Sequence, residues 1–145
     1  MPTRTARTNW TGGLQDGIGT VTLVSSGVGA YEVSFPRRAA DDADGVTSPE
    51  ELIAAAHAAC FAMQFAAMLG EAGGSEQSLE VSADVTLGPD PAGGFRISGI
   101  TLTVRGSASG VSAEDFAAVA HEAKSACPVS KALTGTEISL AVHPG

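Results

Sequence analysis

Apolar and polar residues alternate from Leu79 to Leu87, with Leu79, Val81, Ala83, Val85 and Leu87 on one side, the period of a half-buried strand. Pro89-Asp90-Pro91-Ala92-Gly93-Gly94 is a turn sequence, so Phe95 to Ser107 is the return strand of a hairpin. Nearer the N-terminus, TVTLVSS puts Val21, Leu23 and Ser25 on one face. Strands are predicted over 5–10 and 19–25, joined by a turn rich in Gly12, Gly13, Gly17 and Gly19. A third short strand runs from Tyr31 to Phe35, Pro36 stops it, and Arg37 to Val46 reads as a polar loop. The period then changes. Leu52, Ile53, Ala54, Ala55, Ala56, Ala58, Ala59, Phe61, Met63, Phe65 and Leu69 make a helix that is apolar nearly all round. Ser48 suits its N-cap, Pro49 its first position, and Glu51 completes a capping box. The helix continues to about Glu71 and stops at Gly73-Gly74. Ser112 with Asp115 caps a second helix, Ala113 to about Ser125. Pro128 opens a short helix through Leu133, and Glu137 to Val142 forms the last strand.

Three strands, a long helix, two strands, a helix and a strand describe an α+β fold with mainly antiparallel sheets around a long buried central helix. The 145 residues read as one domain, 1–145, with no internal repeat. A helix apolar on every side must be covered on more than one. One modest sheet covers a single side, so a second copy of the chain is expected on the other, giving a homodimer.

Composition narrows the partners. The net charge is −8, which argues against nucleic acid, because phosphate backbones attract positive surfaces. No basic region leads into an apolar one at the start, so no signal peptide is expected. Leu52 to Leu69 is marginal in length for a membrane span and carries His57 and Gln64. A buried helix and a cytoplasmic protein with no membrane partner are the expectation. In that compartment a transient disulfide is favoured over a permanent one.

The chain has two cysteines, Cys60 inside the long helix and Cys127 immediately before Pro128. A buried free cysteine ordinarily serves as a small hydrophobe, and burial alone raises its pKa and makes it inert. A thiol of pKa about 8.5 is roughly 3% thiolate at pH 7, and lowering it about two units, about 2.7 kcal/mol, brings that to roughly three-quarters. A guanidinium contact supplies energy of that order. A reactive Cys60 therefore requires a cation. Cys127 is placed at a helix N-terminus, where free N–H groups favour a thiolate, and Lys124 lies one turn earlier. Arg37 and Arg38 are the only adjacent basic pair; two solvated surface arginines are the plain alternative, as is a purely dipole-complementing Glu50. His57 lies three residues before Cys60 on the same helical face. With His121 and both cysteines it offers a Cys2His2 zinc set, or alone a general base for a cysteine hydrolase. Most often such a histidine only bonds a neighbour.

TSPEELIAAAHAACF followed by CPVSKAL closely resembles the OsmC/Ohr family of thiol-dependent hydroperoxide reductases, along nearly the whole chain from NWTGGLQDGIGTVTL to EISL. The histidine of AAHAACF and the valine of CPVS are closer to the OsmC branch. The resemblance implies an OsmC-like fold in an intertwined homodimer, with Cys60 as peroxidatic and Cys127 as resolving cysteine. It puts the glutamate that holds the catalytic arginine on Glu50, and the arginine on Arg38, with Arg37 a substitute. It implies a Cys60 sulfenic acid, a Cys60–Cys127 disulfide, reduction by a dithiol such as dihydrolipoamide, and neither metal nor bound cofactor.

Glu50 and Cys60 are ten residues apart, about 15 Å along a straight helix, so they do not share a pocket within one helix. Two long helices crossed antiparallel bring Glu50 of one copy to Cys60 of the other. Phe61, Phe65, Met63 and Met68 are the apolar walls that favour a hydroperoxide with an organic tail. A non-catalytic protein holding a lipid-like ligand in the same cleft is the competing class.

Overall fold

A computed structural model describes residues 1–145, and their contacts group into two units, Met1–Leu52 and Ile53–Gly145. In the first, β1 (Arg7–Thr11), β2 (Ile18–Thr22) and β3 (Ala30–Val33) form an antiparallel meander in that order. Trp10 stands opposite Gly19 in the β1–β2 register. Its indole crowds two glycines: a Cβ at Gly17 would come within 2.6 Å of the ring and 2.2 Å of the Gly13 carbonyl oxygen, and one at Gly19 within 2.8 Å of both the ring and Val33. The Trp10 Nε1–H donates to the carbonyl of Gly12 at 3.0 Å, fixing the ring over the turn.

The third strand is shorter than the sequence suggests. It ends at Val33, and Phe35–Arg38 forms a helical turn, α1, where the pattern had implied strand and then loop. Pro36 causes the difference. Near a helix start its missing N–H costs no hydrogen bond and its fixed φ is already helical, so it begins a turn as readily as it stops a strand.

The long helix α2 (Pro49–Glu71) begins as its caps predict. The Glu51 amide donates to Ser48 Oγ at 3.1 Å, but the Glu51 carboxylate accepts from the Thr47 hydroxyl, so the reciprocal half of the capping box is replaced by a side-chain bond. At the other end the Gly74 amide reaches back to the Leu69 carbonyl at 2.7 Å, with Gly73 at φ +87°, the left-handed closure glycine permits.

In the second unit β4 (Ser75–Pro89) and β5 (Phe95–Ser109) make the expected hairpin, and β6 (Ile138–Pro144) pairs parallel to β5. The parallel pair follows from the crossover through α3 (Ala113–Ala126) and α4 (Pro128–Ala132). Ser112 Oγ accepts the Asp115 amide at 3.1 Å, as its N-cap role predicts. The core joins Phe61, Phe65 and Leu69 of α2 to Leu102 and Val104 of β5 and to Phe116, Ala120 and Ala123 of α3. Phe65 meets Phe116 edge-on, with ring centroids 4.9 Å apart. Both phenyl rings of α2 are fully buried here, so Phe61 and Phe65 are core residues and not walls of a substrate site.

By length and composition α2 is apolar enough to cross a bilayer. His57, Phe61, Phe65 and Leu69, spaced every four residues, are nonetheless fully buried within protein. On another side of the helix Ala55, Ala59, Met63 and Ala67 are exposed, Met63 at 71%.

Candidate active site

The first unit builds an arginine–carboxylate pair. Helical turn α1 carries Arg38 at its end, and the first turn of α2 carries Glu50. Arg38 Nε lies 3.1 and 3.2 Å from Glu50 Oε1 and Oε2, and Nη2 lies 2.7 Å from Oε1. Glu50 is buried, 7% exposed, so the carboxylate is held away from water and pairing with the guanidinium offsets its desolvation. Arg37 is separate: its Nη2 meets Asp44 Oδ2 at 2.7 Å on the surface. The chain therefore has one part-buried arginine clamp, and it is Arg38.

Beside Arg38 lies an open cleft of about 480 Å3, lined by Trp10, Leu14, Val21, Val33, Phe35 and Leu52 among others. Its apolar wall comes from the meander and α1, not from the α2 phenylalanines. The only tryptophan of the chain and the glycines that make room for its ring were the sequence signal for this wall.

The second unit builds a thiol pair. Cys60 lies on α2, and Cys127 ends α3 while starting α4. Their Sγ atoms are 3.0 Å apart with both thiols free. Burial pushes the Cys60 thiol up, the neighbouring Cys127 adds to this, and only the Val129 amide pulls it down. Cys127 is also pushed up by burial. Bonds from Cys60, from the Ser130 amide and hydroxyl and from the Val129 amide outweigh that, and its pKa falls below the ordinary value. Within this unit Cys127, at the start of α4, is therefore the more readily ionised of the two thiols, and Cys60 lacks a cation of its own. Lys124, one turn earlier, is committed elsewhere: its Nζ donates to the Ile138 carbonyl at 3.0 Å.

His57 is fully buried with Nε2 2.7 Å from Ser130 Oγ, while Nδ1 has no partner. Burial lowers its pKa, so the ring is neutral near pH 7. His121 is exposed on α3, and no three His, Cys, Asp or Glu side chains converge as metal ligands.

Residues 41–142 match the family of OsmC-like proteins. The chain is similar to peroxiredoxin OsmC of Escherichia coli, 40% identical over 132 residues covering 91% of this chain and 90% of that one. It is also similar to the organic hydroperoxide resistance protein OhrA of Bacillus subtilis, 41% identical over 92 residues, 61% of each. The solved structure of OhrB of Bacillus subtilis superposes with a TM-score of 0.70 at 29% identity, covering 95% of this chain and 97% of that one. With the fold, the thiol pair and the match over most of its length, the chain belongs to the OsmC family.

Proposed function

We propose that this peroxidase-type oxidoreductase reduces organic hydroperoxides to alcohols, with Cys60 as the sulfur that is oxidised and Cys127 as the one that resolves it. The Cys60 thiolate attacks the distal oxygen of the hydroperoxide. The O–O bond breaks, an alkoxide leaves and takes up a proton, and Cys60 becomes a sulfenic acid. Cys127 then displaces hydroxide from that sulfur, giving the Cys60–Cys127 disulfide and water. An external dithiol, dihydrolipoamide by resemblance, is oxidised to its cyclic disulfide as it restores both thiols. The observation that carries this reading is the 3.0 Å approach of the two sulfurs, brought together from distant parts of the sequence.

Arg38, aligned by Glu50, is assigned to stabilise the Cys60 thiolate and the departing oxygen. Glu50 and Cys60 are ten residues apart on α2, about 15 Å along its axis, so the guanidinium is supplied by the partner subunit of a two-fold dimer. The exposed apolar side of α2, from Ala55 to Ala67, supports that contact. The cleft beside Arg38 favours a substrate with an organic tail. Residues 1–145 act as one OsmC-like domain in a soluble, cytoplasmic enzyme with no metal or bound cofactor.

The same cleft would also suit a non-catalytic protein holding a lipid-like molecule, and thiol chemistry separates the two. On titration with one equivalent of cumene hydroperoxide, the wild type is expected to lose two thiols and Cys60→Ser none. Cys127→Ser should accumulate over-oxidised sulfur, read by mass. Loss of no thiols in the wild type favours the binding protein. Turnover of hydrogen peroxide equal to or faster than that of cumene hydroperoxide overturns the organic tail.

A further inference from the structure

Peroxide reduction by two thiols requires no imidazole, yet α2 buries one three residues from Cys60. His57 is fully buried, and the group it meets, Ser130, is itself only 6% exposed. Withdrawing an imidazole from water is costly unless its nitrogens are bonded, and here only Nε2 is, at 2.7 Å from Ser130 Oγ. A hydrogen on Nδ1 would be a buried donor with no acceptor, so the ring carries it on Nε2 and donates it to Ser130 Oγ. A leucine would fill the position without that cost. What the imidazole supplies there is the bond.

That bond lies beside the sulfur pair. His57 precedes Cys60 by three residues on one face of α2, and Ser130 follows Cys127 by three along α4. Two rungs therefore join these elements, His57 to Ser130 at 2.7 Å and Cys60 to Cys127 at 3.0 Å. The earlier residue of α2 meets the later one of α4, so the two segments run antiparallel. Little else holds α4. It has five residues, too few for a helix to be stable alone, and Ser130 is its one buried side chain. Pro128, Lys131 and Ala132 are exposed, and Val129 is half-buried against the core.

We propose that the His57–Ser130 hydrogen bond is a clasp that holds α4 against α2 while the thiols are unjoined and so keeps Cys127 within reach of Cys60. This rests on the peroxidase reading above and deepens it: His57 and Ser130 are positioning residues for the disulfide step. In that step the Cys127 thiolate attacks the sulfenic sulfur of Cys60, the S–O bond breaks and hydroxide leaves. Until it happens, a second hydroperoxide competes for the same sulfur and carries it to the sulfinic acid. A directional bond one helical turn from the sulfurs fixes both the register and the distance of α4, which apolar contact at Val129 alone does not. Once the S–S bond exists, it holds α4 by itself. The clasp therefore acts before the sulfurs are joined, by raising the effective concentration of one at the other.

The test equilibrates the full chain with glutathione and glutathione disulfide and reads the fraction of protein disulfide by mass after acid quenching. Each protein disulfide formed takes two electrons from Cys60 and Cys127 and converts one glutathione disulfide to two glutathiones. Ser130→Ala should lower the equilibrium constant for the protein disulfide about fivefold to tenfold, the effect of one lost hydrogen bond. His57→Phe should lower it by a similar factor, and the double variant no further than either single one, because the two share one interaction. Ser130→Thr, which keeps the hydroxyl, should restore the parent value. The sign separates positioning from charge: a group that only stabilised a thiolate would favour the dithiol, so its removal would raise the constant. An unchanged or raised constant in Ser130→Ala overturns the proposal, as do losses that add in the double variant. If His57→Phe does not fold, Ser130→Ala and Ser130→Thr still decide it. No peroxide enters this measurement. Failure of cumene hydroperoxide to consume the wild-type thiols would remove the peroxidase reading and leave the clasp to be judged on the glutathione result.

Discussion

Arg38 turns Nε and Nη2 toward the Glu50 carboxylate, at 3.1 and 2.7 Å from Oε1, and no hydrogen bond in the chain engages Nη1. A guanidinium held along one edge has its plane and its remaining edge fixed in space. A lone lysine in the same place would offer a point charge on a flexible stem. The pair therefore contributes orientation beyond charge, and Glu50, nearly excluded from solvent, is what supplies it.

Arg38→Lys is accordingly expected to lower kcat/KM for cumene hydroperoxide about a hundredfold, although the charge is kept. Glu50→Gln should cost about tenfold to a hundredfold by letting the guanidinium turn, with Arg38 still present. Arg37→Ala should stay within about twofold, because its ion pair with Asp44 is exposed and weak. Steady-state kinetics on the three variants check this; an Arg37→Ala loss as large as that of Arg38→Lys would reverse the assignment.

The two sulfurs at 3.0 Å are about 1 Å beyond the length of a disulfide, so little of the fold has to move for them to join. Oxidation should remove both thiols with no change in far-ultraviolet circular dichroism. In Cys127→Ser the oxidised Cys60 has no partner, and a few equivalents of peroxide should carry it to the sulfinic acid. A disulfide that forms only with loss of helix signal would contradict the geometry.

Much of this was legible in the sequence, and what was not has identifiable causes. Caps at Ser48 and Ser112 locate the helices because they are local, and the hairpin follows from the alternation and turn around Pro89–Gly94. The α+β class followed from the order of strands and helices, whereas the roles of Cys60 and Cys127 were implied only by the OsmC resemblance, whose family assignment is supported by a match covering 91% of the chain. Pro36 carried two meanings, and the helical turn at Phe35–Arg38 was the one missed. A helix apolar on all sides hides which face is core, so Phe61 and Phe65 were read as substrate walls when they pack on Phe116 and β5. The Trp10 wall depends on strand register, and His57 meets Ser130 across 73 residues; neither relation leaves a local pattern.

His57 makes stability depend on pH with a definite sign. Burial holds its folded pKa below the ordinary 6.5, so above that value both folded and unfolded chains carry a neutral ring and the full stability is present. As pH falls below 6.5 the unfolded chain binds a proton that the folded one refuses, and stability is lost until the folded pKa is reached, at up to about 1.4 kcal/mol per pH unit. Urea midpoints measured from about pH 7.5 down to about pH 5 should fall more steeply in the wild type than in His57→Phe. Parallel curves for the two proteins would mean that His57 already takes up a proton in the fold.

Met63 is a large apolar side chain 71% exposed on the side of α2 that bears Ala55, Ala59 and Ala67. Small residues around one large one let a second surface approach closely, and burying that surface is what would join two copies. A charge there would have to be desolvated in the interface, opposite or near its own symmetry mate. Met63→Glu should therefore shift the solution mass by sedimentation equilibrium from dimer toward monomer. The thiol pair lies within one chain and should still oxidise to a disulfide with diamide. Peroxide turnover should fall by about a hundredfold or more, because a monomer lacks the guanidinium proposed to come from the partner subunit. A wild-type protein that sediments as a monomer with full activity would remove the shared site, and Arg38 would then have to act within its own chain.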